Sequence, residues 1–115
     1  MKQKKKHSAK LVPDEVLQAL YNDAYETAKD NLQGESVEVY VDLYEGDWNI
    51  EGTFQFDAHL EDDSFTHEFG VYESYHYELD NLTNYDIKRV VFFDEDDNEH
   101  ECDFPHTRFE NIINN

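Results

Sequence analysis

The apolar residues of this chain change their period once, and that change limits what it can fold into. From Leu17 they recur every three or four residues, as Leu17, Leu20, Tyr21, Ala24, Ala28 and Leu32. Such spacing lines one stripe of an α-helix. Pro13 suits a first-turn position, Asp14 and Glu15 lie near the positive end of the dipole, and Gly34 suits a stop. The sequence therefore predicts a helix over 14–32. From Ser36 the period is two. Val37, Val39, Val41 and Leu43 alternate with Glu38, Tyr40, Asp42 and Tyr44. Trp48, Ile50, Gly52, Phe54, Phe56, Ala58 and Leu60 then alternate with Asn49, Glu51, Thr53, Gln55, Asp57 and His59. A third run carries Phe65, His67, Phe69, Val71, Glu73, Tyr75, Tyr77 and Leu79 at alternate positions. Alternation of this kind marks antiparallel strands with one apolar face.

Glu45-Gly46 and Asp62-Asp63 read as two-residue hairpin turns. They set Leu43 against Trp48, Val41 against Ile50 and Tyr40 against Glu51, then Leu60 against Phe65, Asp57 against Glu68 and Trp48 against Tyr77. Both keep the apolar residues on one side, which a one-residue slip would reverse. Gly52 and Gly70 are candidate bulges or bends in long strands. Residues 87–93 read as a further strand. Its return carries His100, Cys102 and Phe104 inward, with Phe93 against His100 and Val91 against Cys102. Phe109, Ile112 and Ile113, at helical spacing, are then expected to cover Val90 and Phe92 on the other side. The expected class is α+β: an N-terminal helix packed on a curved antiparallel meander of four to five strands, with a short C-terminal helix.

At 115 residues the chain is expected to form one domain, an acidic body over 13–115 behind a basic flexible tail over 1–12. Eight Phe, eight Tyr and one Trp supply most of its core. The net charge of −19 is divided unevenly. Lys2, Lys4, Lys5, Lys6 and Lys10 stand in the first ten residues without an acid, and the rest of the chain sets four bases against 28 acids. That body repels nucleic-acid backbones and anionic membranes and attracts basic protein surfaces. No run approaches the roughly 18 to 20 apolar residues that span a bilayer. The basic start lacks the apolar core of a secretory signal. Cys102 is the lone cysteine, which suits a reducing compartment, and a cytoplasmic location is expected.

The acid-rich stretch 93–100, FDEDDNEH, invites a metal reading. Asp94, Asp96 and Asn98 match the first three side-chain ligands of a helix-flanked calcium loop, but Glu99 stands where glycine is needed and Pro105 where glutamate is needed. The six histidines form no HExxH, and there is no cysteine pair for zinc. Nucleophile elbows, phosphate loops and dinucleotide fingerprints are missing from the sequence. No enzyme activity and no cofactor are expected.

The polar side of the strands carries more information. Glu38, Tyr40, Asp42 and Tyr44 project from the first strand, Glu51 and Asp57 from the second, and Glu68, Tyr72, His76 and Glu78 from the third. Tyrosine offers contact area at low entropic cost, and acids steer a basic partner. Apart from His76, these residues are the expected partner-binding set of a non-catalytic binding or inhibitory module. By charge and size alone it compares with immunity proteins against nuclease toxins and with DNA-mimicking inhibitors. The second expectation is a weakly divalent-cation-responsive protein, using the 94–99 tip with Glu61, Asp62 and Asp63.

Overall fold

The computed structural model describes residues 10–67, 70–72 and 74–114. In chain order its elements are α1 (Asp14–Asp30), β1 (Ser36–Glu45), β2 (Trp48–Asp62), β3 (Phe65–His67), β4 (Gly70–Tyr72), β5 (Tyr75–Phe93), β6 (Glu99–Glu101) and α2 (His106–Ile113). Four strands form one antiparallel sheet in the order β1-β2-β5-β6, and β3 pairs with β4. The expected α+β architecture is therefore present.

In α1 the Pro13 carbonyl accepts the Val16 and Leu17 N–H groups, and the Asn31 N–H closes the last turn on Ala28. The helix ends two residues short of the predicted limit. Its buried stripe is Val16, Leu17, Leu20, Ala24 and Ala28. That stripe meets Val39, Val41 and Leu43 of β1 and Ile50, Phe54 and Phe56 of β2 in one core. Phe109 of α2 is fully buried, with its ring 6.3 Å from Phe54, 5.2 Å from Tyr85 and 5.2 Å from Phe104. Arg108 ties the two helices by donating to Asp14 at 3.0 and 2.8 Å and to the Val12 carbonyl. Val12 is itself buried, and the Lys10 ammonium lies 4.6 Å from the centre of the Phe92 ring. The end of the segment read as a flexible tail is thus packed on the body. Residues 1–9 lie outside the described part.

β1 and β2 keep the predicted faces but not the predicted partners. Leu43 pairs with Ile50 and Tyr40 with Thr53, two residues from the expected register, and the turn carries Gly46 at φ 59°. The larger correction is at Asp62-Asp63, which does not reverse the chain. Leu60 pairs with Tyr77, Asp62 with Tyr75, and the Asp63 N–H donates to the Ser74 carbonyl at 2.7 Å. The ladder then resumes in β3 and β4, with Phe65 against Tyr72 and His67 against Gly70. Glu68 and Phe69 lie outside the described residues. Asp57 pairs with Ser36 of β1, Trp48 pairs with Phe92 rather than Tyr77, and Ala58 faces Leu79; the expected Asp57–Glu68 pair falls outside the described residues. The displacements are even along β1 and on the outer part of β2, two residues at Leu43 and Tyr40 and twelve at Leu60, and side-chain alternation distinguishes only odd from even; at Trp48, past the irregularities of the ladder, the displacement is fifteen.

β6 departs by a single residue. Phe92, not Phe93, pairs with His100, and Val91 pairs with Glu101. The connecting tip holds five residues, closed by Asp94 N–H on Asn98 and Asp97 N–H on Asp94, with Asp97 at φ 65°. Val90 and Phe92 consequently share the inner side with Ile50 and Trp48, and Val91 is buried on the outer side against Asn49.

β2 and β5 run for 15 and 19 residues, beyond the usual strand. Three register shifts interrupt their ladder, between Glu51 and Gly52, Gln55 and Phe56, and Phe56 and Ala58. Gly52 is the predicted bulge site: a Cβ there would stand 2.8 Å from the Asp86 carbonyl oxygen. β1 ends opposite Asp57. A 17-residue helix is only about 25 Å long, so the β2–β5 hairpin runs on alone as an arm. The molecule extends over 82 × 24 × 19 Å, and its radius of gyration of 19.5 Å exceeds the about 13 Å of a compact chain this long. Leu60, Tyr75 and Tyr77 are exposed along the arm.

Gly52→Ala is expected to destabilise the protein by about 1–3 kcal/mol, since its methyl group must displace backbone. Urea unfolding measures the loss. An unchanged midpoint would show that the close approach at Asp86 has no energetic weight.

Candidate functional site

The outer side of the sheet collects six of the nine expected partner-binding residues on β1 and β2. Burial alternates along β1, with Val39, Val41 and Leu43 inside and Glu38, Tyr40, Asp42 and Tyr44 outside. Tyr40 and Tyr44 are 55% and 66% exposed. Alternate residues on a strand lie about 6.6 to 6.8 Å apart, so the four side chains form a regular row. Glu51 and Asp57 of β2 share this side. Glu78 does too, but further out on the arm, opposite His59. Tyr72 belongs to β4, and Glu68 is not among the described residues.

Like charges meet here and are managed by named neighbours. Asp42 pairs directly with Glu51, a placement that costs stability unless other groups compensate. The Tyr40 hydroxyl donates to Glu51 diagonally across the ladder. That bond, followed by desolvation and the nearby charges, pushes the Tyr40 hydroxyl up to about 12. Asn49, fully buried, donates to Asp42 at 2.7 Å and to the Leu43 carbonyl at 3.0 Å. Its own oxygen accepts from Arg89 at 2.9 Å, and Arg89 also donates to Glu99 at 2.9 Å. Lys88 pairs with Asp86 at 2.6 Å; Asp86 first, and then Glu38 and Glu51 among others, hold its ammonium above its ordinary range. Two of the body's four bases thus stand on the β5 side, and the row on β1 is the strongly anionic part.

The acidic tip is built around one carboxylate. Asp94 accepts the backbone N–H groups of Asp96 and Asn98 at 2.9 Å each, the Asn98 side-chain amide at 3.4 Å and His100 Nε2–H at 2.8 Å. The His100 bond first, with the backbone donors behind it, takes Asp94 down to about 2. Asp94 therefore organises the turn, and two of the three suggested ligands, Asp94 and Asn98, are bonded to each other. Among the described residues no group of three or more His, Cys, Asp or Glu is arranged to hold a metal ion.

Tyr85, His106 and Glu110 form another polar cluster beside Phe109. The Tyr85 hydroxyl donates to Glu110 at 3.1 Å and accepts the Nδ1–H of His106 at 2.9 Å. Burial first, then Glu110, pushes Tyr85 up to about 12, so it stays protonated and cannot serve as a base near neutrality.

The sequence reading missed a cluster on the arm. His59 lies between Asp80, 2.8 Å from Nδ1, and Glu61, 2.6 Å from Nε2. His76 lies between Asp63 on Nδ1 and Glu78, 2.6 Å from Nε2. A signal was present: His-x-Glu-x-Asp occurs twice, over 59–63 and over 76–80. It becomes meaningful only when those two segments pair. No protein-family model, no curated protein and no solved structure matches this chain.

Removal of the turn carboxylate by Asp94→Ala is expected to lower the thermal midpoint at neutral pH. A depressed carboxylate contributes above its unfolded value and loses the contribution as pH falls through its folded one. The difference from wild type should therefore hold above about pH 4 and close towards about pH 2. A gap independent of pH would assign the loss to packing rather than charge.

Proposed function

We propose that the protein is a non-catalytic acidic binding module that captures a basic protein on the outer side of its sheet. The observation that carries this reading is the row Glu38, Tyr40, Asp42, Tyr44 on an edge strand whose intervening residues are anchored in the core. The scaffold holds the carboxylates and phenols at fixed spacing, so little ordering cost falls on binding. The carboxylates draw in a basic surface, and the two exposed rings provide the apolar contact. Glu51 and Asp57 extend the negative field behind the row.

Inhibition is the finer form of the same reading. A surface built to hold phosphates would accept these rows in their place, as immunity-like and DNA-mimicking inhibitors do by charge. The same field argues against direct contact with nucleic acid through the body. No described helix is long and apolar enough to cross a membrane. The buried thiol of Cys102 suits a cytoplasmic setting.

The test captures partners from the source cell on the immobilised full-length chain. A basic protein, released by moderate salt, is the expected catch. Reversing Glu38, Asp42 and Asp57 to lysine should weaken its affinity at least about tenfold, equivalent to about 1.4 kcal/mol. Reversing Glu15, Asp23 and Glu26 on α1 changes net charge equally and should alter affinity far less. Equal losses would assign binding to total charge, and recovery of no basic protein would overturn the proposal.

A further inference from the structure

We propose that the arm of the sheet is a proton-operated clasp, closed by His59 and His76 as imidazolium ions and released when they lose their protons. Both ring nitrogens of each histidine lie against carboxylates: Asp80 and Glu61 for His59, Asp63 and Glu78 for His76. An ionised carboxylate can only accept. Each ring in this arrangement therefore donates from both nitrogens and carries a positive charge.

The two sets are related by a local two-fold. Each histidine takes the glutamate two places along its own strand and an aspartate from across the hairpin. His59 on β2 reaches Asp80 on β5, and His76 on β5 reaches Asp63 just beyond β2. The strands are thus tied at two points. In register, Glu78 also lies opposite His59 and Glu61 opposite His76. Asp57 precedes the cluster on the same side of β2, Asp62 lies on the other side, and the Glu35 carbonyl accepts the Ala58 N–H at the arm's base.

No lysine or arginine occurs between Lys29 and Lys88. Histidine is the sole residue type in the arm that can carry positive charge near neutral pH. A two-stranded ribbon is marginal by itself in water, and this one leaves Leu60, Tyr75 and Tyr77 exposed. Once the imidazoles are neutral, Asp57, Glu61, Asp63, Glu78 and Asp80 repel one another with no cation between them. The carboxylates raise both histidines above their ordinary value, Asp80 leading for His59 and Glu78 for His76. A raised value means the ties are fully present below the unfolded value of about 6.5 and are lost as pH rises through the folded one.

A nuclear magnetic resonance pH titration of the full-length chain tests the clasp. The ring signals of His59 and His76 should titrate with midpoints above about 6.5. Amides of 58–62 and 75–80 should move or broaden with the same midpoints, and those of 48–56 should stay still. Asp80→Asn should lower the midpoint of His59 and spare that of His76, and Asp63→Asn should do the reverse. Midpoints at or below the ordinary value, arm amides that ignore the histidines, or aspartate variants that shift neither midpoint would each overturn the proposal. The wild-type titration decides the matter even if a variant fails to fold.

Discussion

The packing of α1 over the inner side of β1 and β2 is the contact on which the remaining structure depends. Leu17, Leu20, Ala24 and Ala28 close against Val39, Val41, Phe54 and Phe56, all almost fully excluded from water. Each large side chain buried there contributes about 1.5–3 kcal/mol. Alanines at two helix positions keep bulk out of the contact, so the helix can lie low over the strands. With that side fixed, pleating sends Glu38, Tyr40, Asp42 and Tyr44 outward. The anionic row is thus a geometric consequence of the core.

Charge is the second organising influence. A chain this acidic must place its few bases where repulsion is worst. Arg89 and Lys88 stand beside the Asp42–Glu51 rung, and Arg108 joins α2 to the start of α1. Buried Asn49 transmits the effect of Arg89 to Asp42 without placing a charge inside. The arm lies beyond the reach of these bases, and histidine takes their part there.

The faces of β1 and β2 were legible in the sequence because alternation is a local property of the pleat. The registers were not. Asp62-Asp63-Ser64 has the composition of a turn, and the Ser64 N–H does donate to Asp62 at 2.8 Å, yet the strand resumes beyond it. Parity gave equal support to Phe65 and to Tyr77 as the partner of Leu60, since either keeps Leu60 on the same side. At the 94–98 tip the left-handed Asp97 removed one residue from the expected loop, and that single place exchanged the roles of Val91 and Phe92. Of the candidate site, the β1 row needed only alternation and could be read directly. The histidine cluster needed the pairing of 59–63 with 76–80, which no local pattern supplies.

The three register shifts along β2 and β5 bear on how this molecule avoids sticking to its own kind. β6 covers β5 only at its end, so among the described residues the margin of β5 from Tyr75 towards Arg89 has no neighbouring strand in the sheet. A straight, regular margin of that length would be a template for fibril growth. Each shift adds a residue to β5, kinks its line of amides and carbonyls and increases the local twist. A second chain approaching in extended form would meet donors and acceptors out of step with its own after a few residues.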